Sequence, residues 1–199
     1  MRNLVVLTFV TLDGVMQAPG GPEGDTSGDF KYGGWTVNYW VDSLAKVMEN
    51  QMANPFDLLL GRKTYDIFAA YWPHSTEPGA DRLNEAKKYV VSTTLTSLEW
   101  KNSTLVKGDV VDGIKKLKEQ DGPEIQVHGS SNLIQTLLKH DFADELRLKI
   151  FPVTIGYGKR LFGDGTIPAG FKLLESKISN KGVIVATYSR DGQIKTGSF

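Results

Sequence analysis

The 199-residue sequence has no cysteine, which excludes disulfide frameworks, thiolate metal sites, cysteine nucleophiles and redox dithiols together. Histidine is scarce: there are three, and none stands at metal-ligand spacing from another. No H-E-x-x-H, G-x-S-x-G, Walker sequence or deaminase-type H-x-E with P-C-x-x-C occurs, so metal hydrolysis, α/β-hydrolase chemistry and base deamination have no carrier, and no metal is expected. Neither sign of charge is in excess. The 23 Lys and Arg balance 23 Asp and Glu, so no overall field draws nucleic acid or an anionic membrane, and any anion site must be local. Long hydrophobic runs are missing too: Leu4-Val5-Val6-Leu7 is interrupted by Thr8, Thr11 and Asp13 well before the length of a signal peptide or membrane span. A cytoplasmic chain with no membrane partner is expected. With 40% hydrophobic residues, it is expected to fold as a single domain over residues 1–199, with a core that needs no disulfide or metal staple.

What is present is an alternation. Short apolar, β-branched runs at Leu4 to Val10, Phe56 to Leu60, Lys88 to Ser92, Thr104 to Lys107 and Glu124 to His128 are separated by segments of helical period. Those segments carry Leu44, Val47, Met48 and Met52, then Tyr65 and Phe68, then Val110, Val111, Ile114 and Leu117, then Leu133, Ile134, Leu137 and Leu138. The pattern predicts a mostly parallel sheet with crossover helices, the last two capped by Asp109 and by Ser130 or Ser131. Beyond Leu146 the helical segments stop. Leu146 to Ile150 alternates, and Phe171 to Ser179 and Gly182 to Ser189 flank Asn180-Lys181, which predicts an antiparallel closing hairpin. The segment Tyr71 to Leu83 reads as a connection only. A longer irregular segment, 17–34, holds six glycines and two prolines. Structureless loops above roughly 12–15 residues are often lids or binding loops, so this one reads either as a mobile lid over a substrate or as a surface insertion.

The strand ends carry the candidate chemistry. Gly61-Arg62-Lys63-Thr64 follows the buried run Phe56 to Leu60, so a helix begins on two cations and a hydroxyl, which suits a phosphate. Cations there oppose the helix dipole unless an anion offsets them. At the next end, Ser92 and Thr93 stand where a site selecting NAD often places an acidic residue for the ribose 2′-hydroxyl. Hydroxyls near an arginine suit a 2′-phosphate better, although taken alone the pair reads first as turn or cap residues. Gly129-Ser130-Ser131 after Val127-His128 offers a glycine for close approach of a pyrophosphate and a following helix N-terminus. A full G-x-G-x-x-G is missing. Asp13-Gly14 ends the first strand and reads as a substrate-orienting or proton-relaying carboxylate, or as an ordinary turn. Trp35, near the end of the glycine-rich loop, and Asp42 are further candidates to contact substrate, and Glu49 is a weaker carboxylate.

Taken in order, Thr11-Leu12-Asp13-Gly14, Leu60-Gly61-Arg62-Lys63-Thr64, Val127-His128-Gly129-Ser130 and Ala143-Asp144-Glu145-Leu146-Arg147-Leu148 with Pro152-Val153 and Gly156-Tyr157-Gly158 resemble the dihydrofolate reductase-like superfamily. The branch they resemble most is the reductase domain at the C-terminus of the bifunctional riboflavin-biosynthesis deaminase-reductase. The resemblance spans nearly the whole chain. It implies a three-layer α/β/α fold with a mixed, mostly parallel central sheet, and an NADPH site along the carboxyl ends of the strands. By position, Gly61, Arg62, Lys63 and Thr64 would contact cofactor phosphates, Ser92 and Thr93 the adenosine 2′-phosphate, and Gly129, Ser130 and Ser131 the pyrophosphate. Gly156 and Gly158 would lie near the nicotinamide, and Asp13 would face the substrate as the catalytic carboxylate. The implied activity is an NADPH-dependent reduction of a small heteroaromatic or carbonyl molecule, pteridine-like or riboflavin-precursor-like, in a homodimer. A phosphoribosylamino-uracil reductase-like activity falls within that range. Two departures accompany it. The acidic residue that polarises the pterin in folate reduction falls, by spacing, on Ala45, and the deaminase half is absent. A nucleotide-binding module of the same fold without catalysis therefore stands as the alternative.

Overall fold

The computed structural model of the chain describes residues 1–198. Its strands are β1 (Leu4–Thr11), β2 (Phe56–Gly61), β3 (Lys88–Val91), β4 (Ser103–Val106), β5 (Glu124–Val127), β6 (Glu145–Phe151), β7 (Phe171–Ile178) and β8 (Ile184–Arg190). They form one sheet in the order β4-β3-β2-β5-β1-β6-β8-β7. β1 to β6 run parallel, while β8 pairs antiparallel with both β6 and β7. This is the mixed, mostly parallel α/β sheet with a closing hairpin that the strand runs predict, except that β6, expected among the antiparallel closing strands, runs parallel to β1 and turns antiparallel only toward β8.

Helices α1 (Asp42–Gln51), α2 (Arg62–Tyr71), α3 (Ala80–Glu85), α4 (Val110–Glu119) and α5 (Ser131–Lys139) cover its two faces. On one face Ile114 and Leu117 of α4 and Leu133, Ile134, Leu137 and Leu138 of α5 pack on Leu4, Val6, Ile125, Val127, Leu146 and Leu148. Alternation along each strand sends its other residues to the opposite face. There Phe56, Leu58 and Leu60 of β2 meet Tyr65 of α2, Leu83 of α3 and Trp100, while Leu44 of α1 meets Phe151 and Val183. No helix among the described residues is long and apolar enough to cross a membrane.

Two local expectations change. Tyr71 to Leu83 is more than a connection: it contains a 3-10 turn at Trp72–His74 and the start of the short helix α3, which runs on to Glu85. Gly79, at φ 91°, turns the chain into α3, and burial of Ala80 and Leu83 holds that helix although its six residues show little periodicity. At the helix starts, Asp109 caps α4 by accepting from Asp112 N at 3.0 Å. Ser130 occupies the cap position of α5 at φ 70° without capping it, because its hydroxyl is engaged elsewhere.

Candidate functional site

The carboxyl ends of the parallel strands line up along one edge of the sheet, and β2 and β5 are neighbours there. Their ends are tied by one side chain. Ser130 Oγ accepts from Gly61 N at 2.8 Å and donates to Thr64 Oγ1 at 2.7 Å. A Cβ on Gly61 would stand 2.7 Å from that oxygen, so the glycine is required for contact and not for an unusual dihedral. Gly129 adds no side chain, and a Cβ there would meet only Thr64 Oγ1, at 3.9 Å. The N-termini of α2 and α5 thus stand side by side with open backbone in front of Gly129, a cradle that a phosphate suits. Ser131 opens α5 beside it.

The two cations of α2 are already partnered. Arg62 binds Asp66, one turn on, at 3.3 Å and donates to Thr94 Oγ1. Lys63 Nζ binds Asp25 Oδ1 at 2.7 Å. Ser92 Oγ accepts from Thr94 N and Leu95 N, shaping the turn after β3, while Thr93 is exposed. Arg62 therefore lies over the Ser92 turn, with Thr94 as its contact, a residue the sequence reading did not single out.

At the end of β1, Asp13 Oδ1 accepts from Thr11 Oγ1 at 2.5 Å, and Oδ2 accepts from Gly156 N at 2.7 Å. Ile155 N donates to both oxygens at 3.2 and 3.3 Å. The Thr11 bond is the main cause that holds the Asp13 carboxyl below its ordinary value, with the backbone donors adding to it against a desolvation cost. A carboxylate so engaged is suited to fixing the Gly156-Tyr157-Gly158 turn, not to giving up a proton. Gly158, at φ 113°, lets that turn close against Phe30, whose ring would lie 2.8 Å from a Cβ. Trp35 donates from Nε1 to Gln17 O at 2.8 Å and packs edge-on against Phe151. Asp42 opens α1 and is exposed, as are Ala45 and Glu49. The structure therefore brings Gly61, Thr64, Gly129 and Ser130 together, seats Arg62 near Ser92, and ties Asp13 to Gly156. Trp35 is a wall residue of the loop, and Asp42 stays apart.

Sequence reasoning missed a polar array on the sheet face beneath α1. Gln126 Nε2 donates to Gln51 O at 2.8 Å and to Glu124 Oε1 at 2.5 Å, so its carbonyl oxygen must be the partner of His128 Nε2 at 2.7 Å. His128 thus carries its proton on Nε2 and keeps Nδ1 bare. Burial, then Lys149 and Arg147, push its pKa down to about 3. Lys149 is 1% exposed and donates to Gln51 Oε1 at 2.5 Å, and among the described residues no carboxylate pairs with it. Burial, then Arg147, bring it down to about 7. Arg147 is neutralised by Glu124 at 2.9 Å and Glu145 at 2.5 Å. A signal existed: Glu145, Arg147 and Lys149 alternate with Leu146, Leu148 and Ile150, a pattern that reads as a solvated face until α1 covers it. An open cavity of about 560 Å³ between α1 and β5 to β8 is lined by Gln51, Glu124, Arg147 and Thr187. It lies toward the starts of β5 and β6, away from the strand ends at Gly129 and Gly156.

Comparison with known proteins agrees with this fold. The family model described as the RibD C-terminal domain matches residues 2–185. The uncharacterized protein YyaP of Bacillus subtilis (strain 168) is 26% identical over 197 residues, covering 96% of each chain. A putative riboflavin biosynthesis protein of Shewanella sp. PV-4 superposes with a TM-score of 0.67 at 24% identity, over 96% of this chain and 99% of that one. Dihydrofolate reductase of Enterococcus faecalis, solved with NADP(H), superposes at 0.59 with 14% identity, over 95% and 96%. The two structures show that the fold is dihydrofolate reductase-like.

Proposed function

The chain belongs to the RibD C-terminal domain family, and from that premise we propose that it is an NADPH-dependent reductase acting on a small heteroaromatic or carbonyl substrate. The observation that carries the proposal is the joined pair of strand ends. Ser130 fastens Gly61 to Thr64 and leaves Gly129 bare between two helix N-termini. That donor set fits a dinucleotide: open backbone N–H groups for the pyrophosphate, Arg62 and Lys63 for phosphate charge, and the Ser92, Thr93 and Thr94 hydroxyls beside Arg62 for a 2′-phosphate. NADPH supplies the hydride when bound; the chain binds, orients and shields. Asp13 acts as a positioning residue, holding the Gly156 to Gly158 turn at the nicotinamide end, and the proton comes from solvent at the cleft. The finer reading is a pteridine-like or riboflavin-precursor-like substrate. The exposed Leu173, Leu174, Ile178 and Ile184 of the last hairpin support a homodimer, which light scattering on the purified protein tests.

The second reading, a nucleotide-binding module without catalysis, is favoured by one feature: α1 turns no carboxylate toward the sheet, since Asp42, Ala45 and Glu49 are all exposed. Titration with NADPH and NADH, followed by fluorescence, tests both. NADPH is expected to bind more tightly, and Arg62→Ala to weaken it about tenfold, the loss of roughly one charge-assisted contact. If neither nucleotide binds, the first reading fails, and so does the cofactor half of the second. Tight binding without oxidation across pterins, flavins and reduced-pyrimidine precursors selects the second.

A further inference from the structure

The glycine-rich loop is bonded along its length, and its stems and its tip are held in different ways. The stems are pinned internally. Gln17, 4% exposed, donates to Asp25 O and Ser27 O at 2.8 Å each and accepts from Lys159 N at 2.9 Å. Thr36 Oγ1 reaches Pro19 O at 2.8 Å, and Phe30 is buried against the Gly158 turn. The tip is held through its backbone by the same Gln17 amide and, on its outer side, by the Asp25 carboxylate. Asp25 Oδ1 takes Lys63 from α2 at 2.7 Å, and Oδ2 takes Lys159, just past the Gly158 turn, at 2.5 Å. Lys63 lies in the first turn of α2, just past β2, and Lys159 lies in the segment after β6 whose backbone pairs with Val15 and Met16 beyond β1, so Asp25 joins the end of β2 to the end of β1, with β5, which leads into Gly129, between them in the sheet.

The two grips are unequal. Lys63 is 60% exposed and Lys159 29%, so water and salt compete far more at the Lys63 contact. Asp25 itself is a firm anion. Burial would raise its pKa, but bonds from Lys159, Lys63 and Ser27 outweigh that and hold it well below the usual carboxylate range. A phosphate brings more negative charge and more acceptor oxygens than a carboxylate, and it would compete for the same ammonium.

We propose that the loop is a strap fastened across the cofactor cleft by Asp25, and that a phosphate group of the arriving dinucleotide unfastens it by taking Lys63 from the carboxylate. This inference rests on the cofactor reading above. Lys159 and Gln17 keep Asp25 after the exchange, so the loop loosens only on its outer, Lys63 side while the Gln17 and Thr36 contacts stay in place. Resting protein is thereby closed, and admission depends on the ligand's charge.

Hydrogen exchange over residues 17–34, measured in the intact protein with and without NADPH or inorganic pyrophosphate, tests it beside NADPH titrations of the wild type and Asp25→Asn. Asp25→Asn is expected to exchange faster without ligand and to bind NADPH about two- to fivefold more tightly, the size of one partly exposed ion pair. Both ligands should speed exchange in the wild-type loop. Unchanged exchange in Asp25→Asn, weaker NADPH binding by it, or a loop that NADPH slows would overturn the strap. If NADPH binds and leaves the loop unaffected, the strap fails while the cofactor reading stands. If NADPH does not bind but pyrophosphate loosens the loop, the anion exchange holds and the cofactor reading fails.

Discussion

Strands β5, β1 and β6 present Ile125, Val127, Leu4, Val6, Leu146 and Leu148 to α4 and α5, all buried and all apolar. Turned over, β5 and β6 present Glu124, Gln126, Glu145, Arg147 and Lys149 beneath α1. The first face is stabilised by area removed from water and needs only volume and alternation to be right. The second spends stability on charge, since each buried polar atom must find its partner and Lys149 finds only an amide. A protein gains nothing thermodynamically from such a face. It is this polar face, and not the apolar one, that the open cavity beneath α1 is built on, through Gln51, Glu124 and Arg147.

The largest break in that comparison should come from the apolar side. Ile134→Ala, at a fully buried position of α5, is expected to cost about 2–5 kcal/mol in urea denaturation through the cavity it leaves. If the loss is below 1 kcal/mol by the same measurement, α5 does not carry the core assigned to it. On the polar side Arg147→Ala strands Glu124 and Glu145 together. Because those groups keep some contact with water, the expected loss is smaller than for a sealed pair, about 2 kcal/mol. A cost equal to that of Ile134→Ala would erase the distinction between the faces.

Lys149→Met should move the other way and by less, stabilising the fold by about 1 kcal/mol at pH 7, because it removes an ammonium with no carboxylate partner. The pH dependence sharpens this. Native Lys149 loses its proton near 7, against an ordinary 10.5, so between those values the unfolded chain binds more protons. Stability is then complete above the unfolded value and falls as pH drops toward the folded one, by at most about 1.4 kcal/mol per pH unit. Arg147, Glu124, Glu145 and His128 are the neighbouring charged or titrating groups, and His128 adds the same sign of slope from its ordinary 6.5 down to about 3. Urea midpoints that climb from pH 7.5 to 9.5 more steeply in the wild type than in Lys149→Met are the expected result, the slope left in the variant coming from Lys88, which burial brings down to about 8. Equal slopes in the two proteins would mean that Lys149 stays charged when folded.

The legible parts of the molecule are those set by local pattern. The five parallel runs, the helix stripe Leu133, Ile134, Leu137 and Leu138, and the Gly61-Arg62-Lys63-Thr64 turn all follow from spacing and appear where spacing puts them. What stayed hidden depends on contacts between distant segments. Nothing near Asp25 in sequence reveals that it meets Lys63 and Lys159, and nothing near Ser130 reveals that its hydroxyl serves Gly61 instead of its own helix. Lys149 was hidden for a further reason: a charged residue in a strand is read as solvent-facing until a covering helix is known.

The bond between Gly61 and Ser130 also bears on how such a sequence is free to drift. While serine occupies 130, a side chain at 61 collides with its hydroxyl at 2.7 Å. If 130 first becomes glycine, whose backbone tolerates the left-handed turn found there, the obstruction goes and 61 becomes permissive. The two positions are therefore linked in order as well as in identity: the change at 130 must come first, and once 61 has acquired a side chain the way back is shut.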